Sequence, residues 1–159
     1  MGGAGQRPQS LLWRDAFPGM AWRSFGACLY GGTSVREALI TLDFPPRELS
    51  PNARVHWSVK RGLVKGYRWA AKIEALLSRP TKPLTAPVGM SLTFVTSTAR
   101  LPDVDNLIAS IKSGIDGLVD AGVLVDDSPK YLRLTGATVR KREGKEQPCV
   151  MIHLQELSA

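Results

Sequence analysis

The chain has 159 residues, 43% of them apolar, so it can fill one core, and wholesale disorder is excluded. Lys and Arg number 21 against 14 acids, a net charge of +7 that favours polyanionic partners, nucleic acid before an anionic membrane surface. The two cysteines, Cys28 and Cys149, form no CxxC pair, and no apolar run nears the roughly 18 residues of a membrane span, so a disulfide scaffold and a membrane partner are set aside in favour of a reducing cytoplasm.

Residues 1–36 carry four arginines, one acid and much glycine, with apolar residues only in short clusters such as Leu11-Leu12-Trp13. Neither a period of 2 nor of 3.6 is sustained, which predicts a loosely ordered N-terminal extension. Arg14, Asp15 and Arg23 interrupt any secretory core. From Glu37, Ala38, Ile40, Leu42 and Phe44 alternate with Leu39, Thr41 and Asp43, predicting a strand that Pro45-Pro46 ends. After a loop through Ser50-Pro51-Asn52, residues 64–77 read as a helix, closed by Pro80 and Pro83. Val88, Met90, Leu92 and Phe94 predict a second strand.

The clearest helix runs over 106–121, where Leu107, Ile108, Ile111, Ile115, Leu118 and Val119 form one apolar stripe. Asp105 suits its N-cap and Gly122 its C-terminal stop. The short apolar run 123–125 then meets Asp126-Asp127. Residues 132–142 and 149–157 read as a closing antiparallel pair joined by the polar turn 143–147.

Charge is segregated along this order. Residues 54–82 hold eight bases, among them Arg54, Lys60, Arg61, Lys65 and Arg68, against the single acid Glu74. Residues 103–127 hold six acids against Lys112, and residues 130–147 turn basic again. Basic segments interleaved with His56, Trp57, Tyr67 and Trp69 suit a phosphate backbone and stacked bases; a solvated helix face is the plainer account.

Asp103 and Asp105 stand two apart at the start of the long helix, where an extended segment turns both carboxylates to one side. Crowded carboxylates repel unless a cation neutralises them, and hard oxygen ligands suit Mg²⁺ or Mn²⁺. Helix capping accounts for one such aspartate, not for Asp126-Asp127 as well. Lys112, seven positions after Asp105, returns to within roughly 20° of it, as does Asp116. A lysine there either offsets charge on a phosphoryl group or pairs with Asp116 at i+4. An EF-hand fails at Leu107, Ile108 and Gly114; no P-loop, HxxxH or GxSxG motif occurs; His153 reads as a structural residue of a strand.

Asp103-Val104-Asp105-Asn106-Leu107, the helix with Lys112, Asp116-Gly117-Leu118, Ala121-Gly122 and Asp126-Asp127 together resemble the core signature of RusA-type Holliday-junction resolvases. Phe44-Pro45-Pro46 and the loop Ser50-Pro51-Asn52-Ala53-Arg54 before a basic helix are similar to that family's N-terminal half. The resemblance covers residues 37–157 and implies a small mixed α/β domain with a mixed sheet and two main helices. It further implies a homodimer, bacterial or phage-encoded, that nicks both strands of four-way DNA junctions with Mg²⁺. The metal-binding carboxylates would be Asp103, Asp105 and the second acid of the pair, Asp127; Lys112 would be the functional lysine. Arg54, Lys60, Arg61, Lys65 and Arg68 are the candidates for gripping phosphates. The lysine lies three residues further on than in the best-known members. A DNA-binding module without chemistry and a metal-dependent nucleotide pyrophosphohydrolase are the competing classes.

Overall fold

A computed structural model describes residues 36–157 except 79, 81 and 86. The expected extension over residues 1–36 lies outside the described residues apart from Arg36. That residue belongs to the folded unit: its guanidinium pairs with Glu156 at 2.7 Å and donates to the Pro83 carbonyl at 3.0 Å.

The elements follow in the order β1 (Glu37–Asp43), a 3-10 turn (Arg47–Leu49), α1 (Trp57–Ser78), β2 (Val88–Thr96), α2 (Val104–Ser110), α3 (Lys112–Asp120), β3 (Leu132–Lys141) and β4 (Cys149–Glu156). The strands form one mixed sheet in the order β1-β4-β2-β3. Alternation decides which face each strand buries: Ala38, Ile40 and Leu42 of β1, Met90, Leu92 and Phe94 of β2, and Val150, Ile152 and Leu154 of β4 are all buried. Tyr67, Ala71 and Ala75 of α1 join the same core, together with Ile115 and Leu118 of α3.

The last two strands do not form the expected antiparallel pair. β3 runs parallel to β2, and β4 lies between β2 and β1, antiparallel to both. Composition explains the exchange. Val150, Ile152 and Leu154 are fully buried and suit the middle of the sheet, whereas β3 carries Arg133, Arg140 and Lys141, which suit and protect an edge. Parallel partners need a crossover, and α2–α3 supplies it. At Thr135 the β2–β3 register shifts by one residue, and its hydroxyl donates to the Met90 carbonyl at 3.0 Å.

Helix α1 begins seven residues before the expected Val64. His56 hides the start: its carbonyl accepts from the Lys60 amide (3.1 Å) and its ring Nδ1 from the Ser58 amide (3.4 Å), a capping role that histidine seldom advertises. The single helix expected over 106–121 starts at Val104 and is divided at Ile111. Asp103, rather than the expected Asp105, holds the N-cap position (φ −67°, ψ 131°), and it makes no side-chain cap bond there. Gly122 ends α3 as expected, at φ 70°, with its amide on the Val119 carbonyl and the Val123 amide on the Leu118 carbonyl.

Helices α1 and α3 touch backbone to backbone. A Cβ on Gly117 would sit 2.4 Å from the Arg68 carbonyl oxygen and 2.9 Å from the Ala71 Cβ, so only glycine permits the approach. Gly62, also in α1, has open space around its Cβ position. Urea unfolding should therefore show Gly117→Ala costing about 1–3 kcal/mol through overpacking, and Gly62→Ala gaining about 0.5–1 kcal/mol. Tyr67 is buried, and its hydroxyl donates to the Asp43 carbonyl at 2.8 Å. Burial, then the Asp43 charge, push this phenol well above its ordinary value. A raised folded-state pKa means stability that is complete below the ordinary phenol range and lost as pH climbs through and beyond about 10. Tyr67→Phe should lower stability near neutrality by about 1 kcal/mol yet flatten that alkaline loss, as read by denaturant midpoints across pH 8–11.

Candidate functional site

The site is built around the N-terminal end of α2, the start of α3 and the segment that follows α3. Asp103 and Asp105 lie on the first turn of α2, both exposed, and neither makes an ion pair among the described residues. The Asn106 side chain accepts from Asn52 Nδ2 at 3.2 Å, which ties the Ser50-Pro51-Asn52 loop to this turn. Nothing in local spacing announces that long-range bond.

After Gly122, buried Val123 and Leu124 anchor the chain, with the Leu84 amide on the Val123 carbonyl at 3.1 Å. That anchor delivers Asp126 and Asp127 to defined places. The Asp126 carboxylate accepts from the Asp127 amide at 2.9 Å and is occupied locally. The Asp127 carboxylate meets the ammonium of Lys112, which also donates to Asp116 at 3.0 Å. Two acids eleven residues apart in sequence thus share one lysine. Sequence spacing already sets Asp116 on the Lys112 stripe and at i+4 from it; the sharing of that lysine with Asp127 is what the tertiary fold adds.

The network extends across the helix pair. Arg68 of α1 makes a two-pronged contact with Asp120, at 2.6 and 2.7 Å, and lies 3.8 Å from Asp116. The Arg68 hydrogen bond holds the Asp120 carboxyl below the usual carboxylate range. Of the predicted phosphate-gripping residues, Arg68 is therefore engaged within the chain. Arg54, Lys60, Arg61 and Lys65 make no ion pair among the described residues; Lys60 is half-buried and the other three are exposed.

A groove of about 260 Å³ runs between α1 and the α2–α3 unit, with Lys60 and Val64 on one wall and Lys112 and Asp116 on the other. Ser113 lines it, and its buried hydroxyl has no hydrogen-bond partner among the described residues. A second cleft of about 230 Å³ lies on the other side of Lys112, bordered by Asp127, Ile108 and Leu134.

The structure thus joins Asp127 to Lys112 and sets Asp103 at the N-cap and Asp105 on the first turn of α2. Among the described residues it does not gather three His, Cys, Asp or Glu side chains into one metal-binding group. From Asp105 to Lys112 the helical rise amounts to about 10 Å. The donor chemistry fits a hard dication all the same, since Mg²⁺ is commonly held by one or two carboxylates with waters and substrate phosphate completing the shell. Cys149 offers no competing chemistry: partial burial raises its thiol, away from the reactive thiolate.

No family model matches the chain. An uncharacterized protein of Xylella fastidiosa (strain Temecula1) is 37% identical over 98 residues, which make up 60% of this chain and 63% of that protein. The chain spans less than two thirds of that relative's length. Among the described residues, no helix is long and apolar enough to cross a membrane.

Lys112→Met would remove the cation that Asp116 and Asp127 share, leaving Asp116 only the Arg68 guanidinium at 3.8 Å. The variant should melt lower than the wild type, by less than about 1 kcal/mol in stability, and high salt should narrow the gap. Thermal unfolding at low and high NaCl checks this.

Proposed function

We propose that the protein is a Mg²⁺-dependent, structure-selective endodeoxyribonuclease that resolves four-way or otherwise branched DNA by paired nicking. The observation that carries this reading is the pair of exposed carboxylates, Asp103 and Asp105, at the N-terminal end of α2, neither in an ion pair among the described residues, with the Lys112–Asp127 contact at the start of the next helix. The resemblance to RusA-type resolvases rests on that same order of residues.

Asp103, Asp105 and Asp127 would hold the metal, whose chemistry when bound is to polarise the scissile phosphate and activate water. Asp103 spends no side-chain bond on capping, and Asp105 makes no ion pair among the described residues, which leaves both carboxylates for a ligand. Asp126, by fixing the Asp127 amide, orients its neighbour. Lys112 offsets negative charge that develops on the phosphoryl group. Arg54, Lys60, Arg61 and Lys65 hold phosphates away from the cut. Two copies related by a two-fold axis match the two symmetric strands of a junction, which is why the reading includes a homodimer.

A second reading is a DNA-binding module without chemistry. It is favoured by the engagement of Asp127 with Lys112 and by the absence of a three-acid group among the described residues. One experiment separates the two. With a synthetic four-way junction and Mg²⁺, the wild type should nick symmetrically, and Asp105→Asn should lose nicking while binding the junction as before. No cleavage by the wild type under any divalent metal, with binding intact, selects the second reading. Cleavage retained by Asp105→Asn removes the metal-ligand assignment.

A further inference from the structure

Four aromatic side chains accompany the basic segment, and the structure sorts them. Tyr67 is buried and bonded to Asp43. His56 caps α1. Trp57 and Trp69 stand out into solvent, 67% and 62% exposed: Trp69 lies on the face of α1 opposite the buried Ala71, whereas Trp57 shares the angular face of Ala71 and Ala75 but sits at the first residue of the helix.

Helix geometry distinguishes these two. At 100° per residue, Trp57 lies roughly 20° from Val64 and 60° from Lys60, the α1 wall of the 260 Å³ groove. Trp69 lies roughly 140° from Val64 and 180° from Lys60, on the side turned away. Arg61, Lys65 and Lys72 fall within about 80° of Trp57 and of Trp69 alike, a cationic stripe between the two indoles that rises about 17 Å from Arg61 to Lys72, so it is the groove that separates Trp57 from Trp69. Trp57 is about 6 Å beyond Arg61 along the same axis, close to one nucleotide step of an extended strand. Its ring packs against the His56 ring at a centroid distance of 5.7 Å, which props it in place and leaves the remainder of the indole open.

We infer that Trp57 is a stacking platform for an unpaired nucleobase of a DNA strand whose phosphates follow the α1 cations. An exposed indole beside a file of cations, of which Arg61 and Lys65 make no ion pair among the described residues, matches the two chemical parts of such a strand, a π face and a polyanion. Paired bases in a duplex are already stacked and offer no free face, so the platform favours single strands and the splayed bases of a branch point. This rests on the DNA-binding part of the reading above and is independent of cleavage.

The full chain is titrated in EDTA with a single-stranded oligonucleotide carrying one 2-aminopurine, and with the matched blunt duplex. Trp57→Ala should weaken single-strand binding about tenfold and abolish quenching of the 2-aminopurine, with a change under about twofold for the duplex. Trp57→Phe should restore most of the affinity, and Trp69→Ala should alter neither. Equal losses for Trp57→Ala and Trp69→Ala, or equal losses on single strand and duplex, overturn the inference. If Trp57-dependent quenching is found in a protein that cuts nothing, the inference stands and the nuclease fails. If junctions are cut and Trp57→Ala binds single strands like the wild type, the nuclease stands and the inference fails.

Discussion

The contact of α3 on α1 at Gly117 sets the geometry on which the rest depends. With no side chain between them, the two helices approach until the missing Cβ would strike the Arg68 carbonyl. A second glycine, Gly114, brings α3 against the Tyr67 ring and Leu42 at 3.0–3.2 Å from its Cβ position, so helix, helix and strand meet at one place. Such close backbone contact leaves little freedom to slide or roll. It fixes which α1 residues face α3: Arg68 comes to Asp120, and Lys60 comes to the groove opposite Lys112.

That fixed register divides the charges into two populations. Asp127, Lys112, Asp116, Arg68 and Asp120 form a chain of alternating sign in which each acid has a cation beside it. Individually such exposed pairs stabilise little, but together they hold the segment after α3 against the helix pair. Asp103, Asp105, Arg54, Arg61 and Lys65 stand outside this chain. None of these makes an ion pair among the described residues, and it is these acids at one helix end and bases along another that the proposed metal and DNA would meet.

Much of this was legible in the sequence because local periodicity carries it. The alternation of Ala38, Ile40 and Leu42, the stripe from Leu107 to Val119 and the stop at Gly122 all appear where they were expected. What was not legible is pairing. Adjacent strands joined by a polar turn suggest a hairpin, and only the greater apolar content of Val150–Leu154 shows that β4 takes the central place. The N-terminal turns of α1 escaped notice because His56 gives no ordinary capping signal, and Gly62 interrupts the pattern. At the site, Lys112–Asp116 was readable from i+4 spacing, whereas Lys112–Asp127, Arg68–Asp120 and Asn52–Asn106 span 15, 52 and 54 residues and follow only from the tertiary fold.

The position of β4 also bears on how the chain acquires its shape during synthesis. β1 and β2 are made early, yet they never touch; the strand that fits between them is the last of the four to leave the ribosome. Until it arrives, the apolar faces of both lie open with no neighbour to bridge them, and the helices have only a split platform to cover. A chain that stops before Cys149 therefore lacks the one strand that joins β1 to β2, and its unpaired edges and open apolar faces are those that favour aggregation.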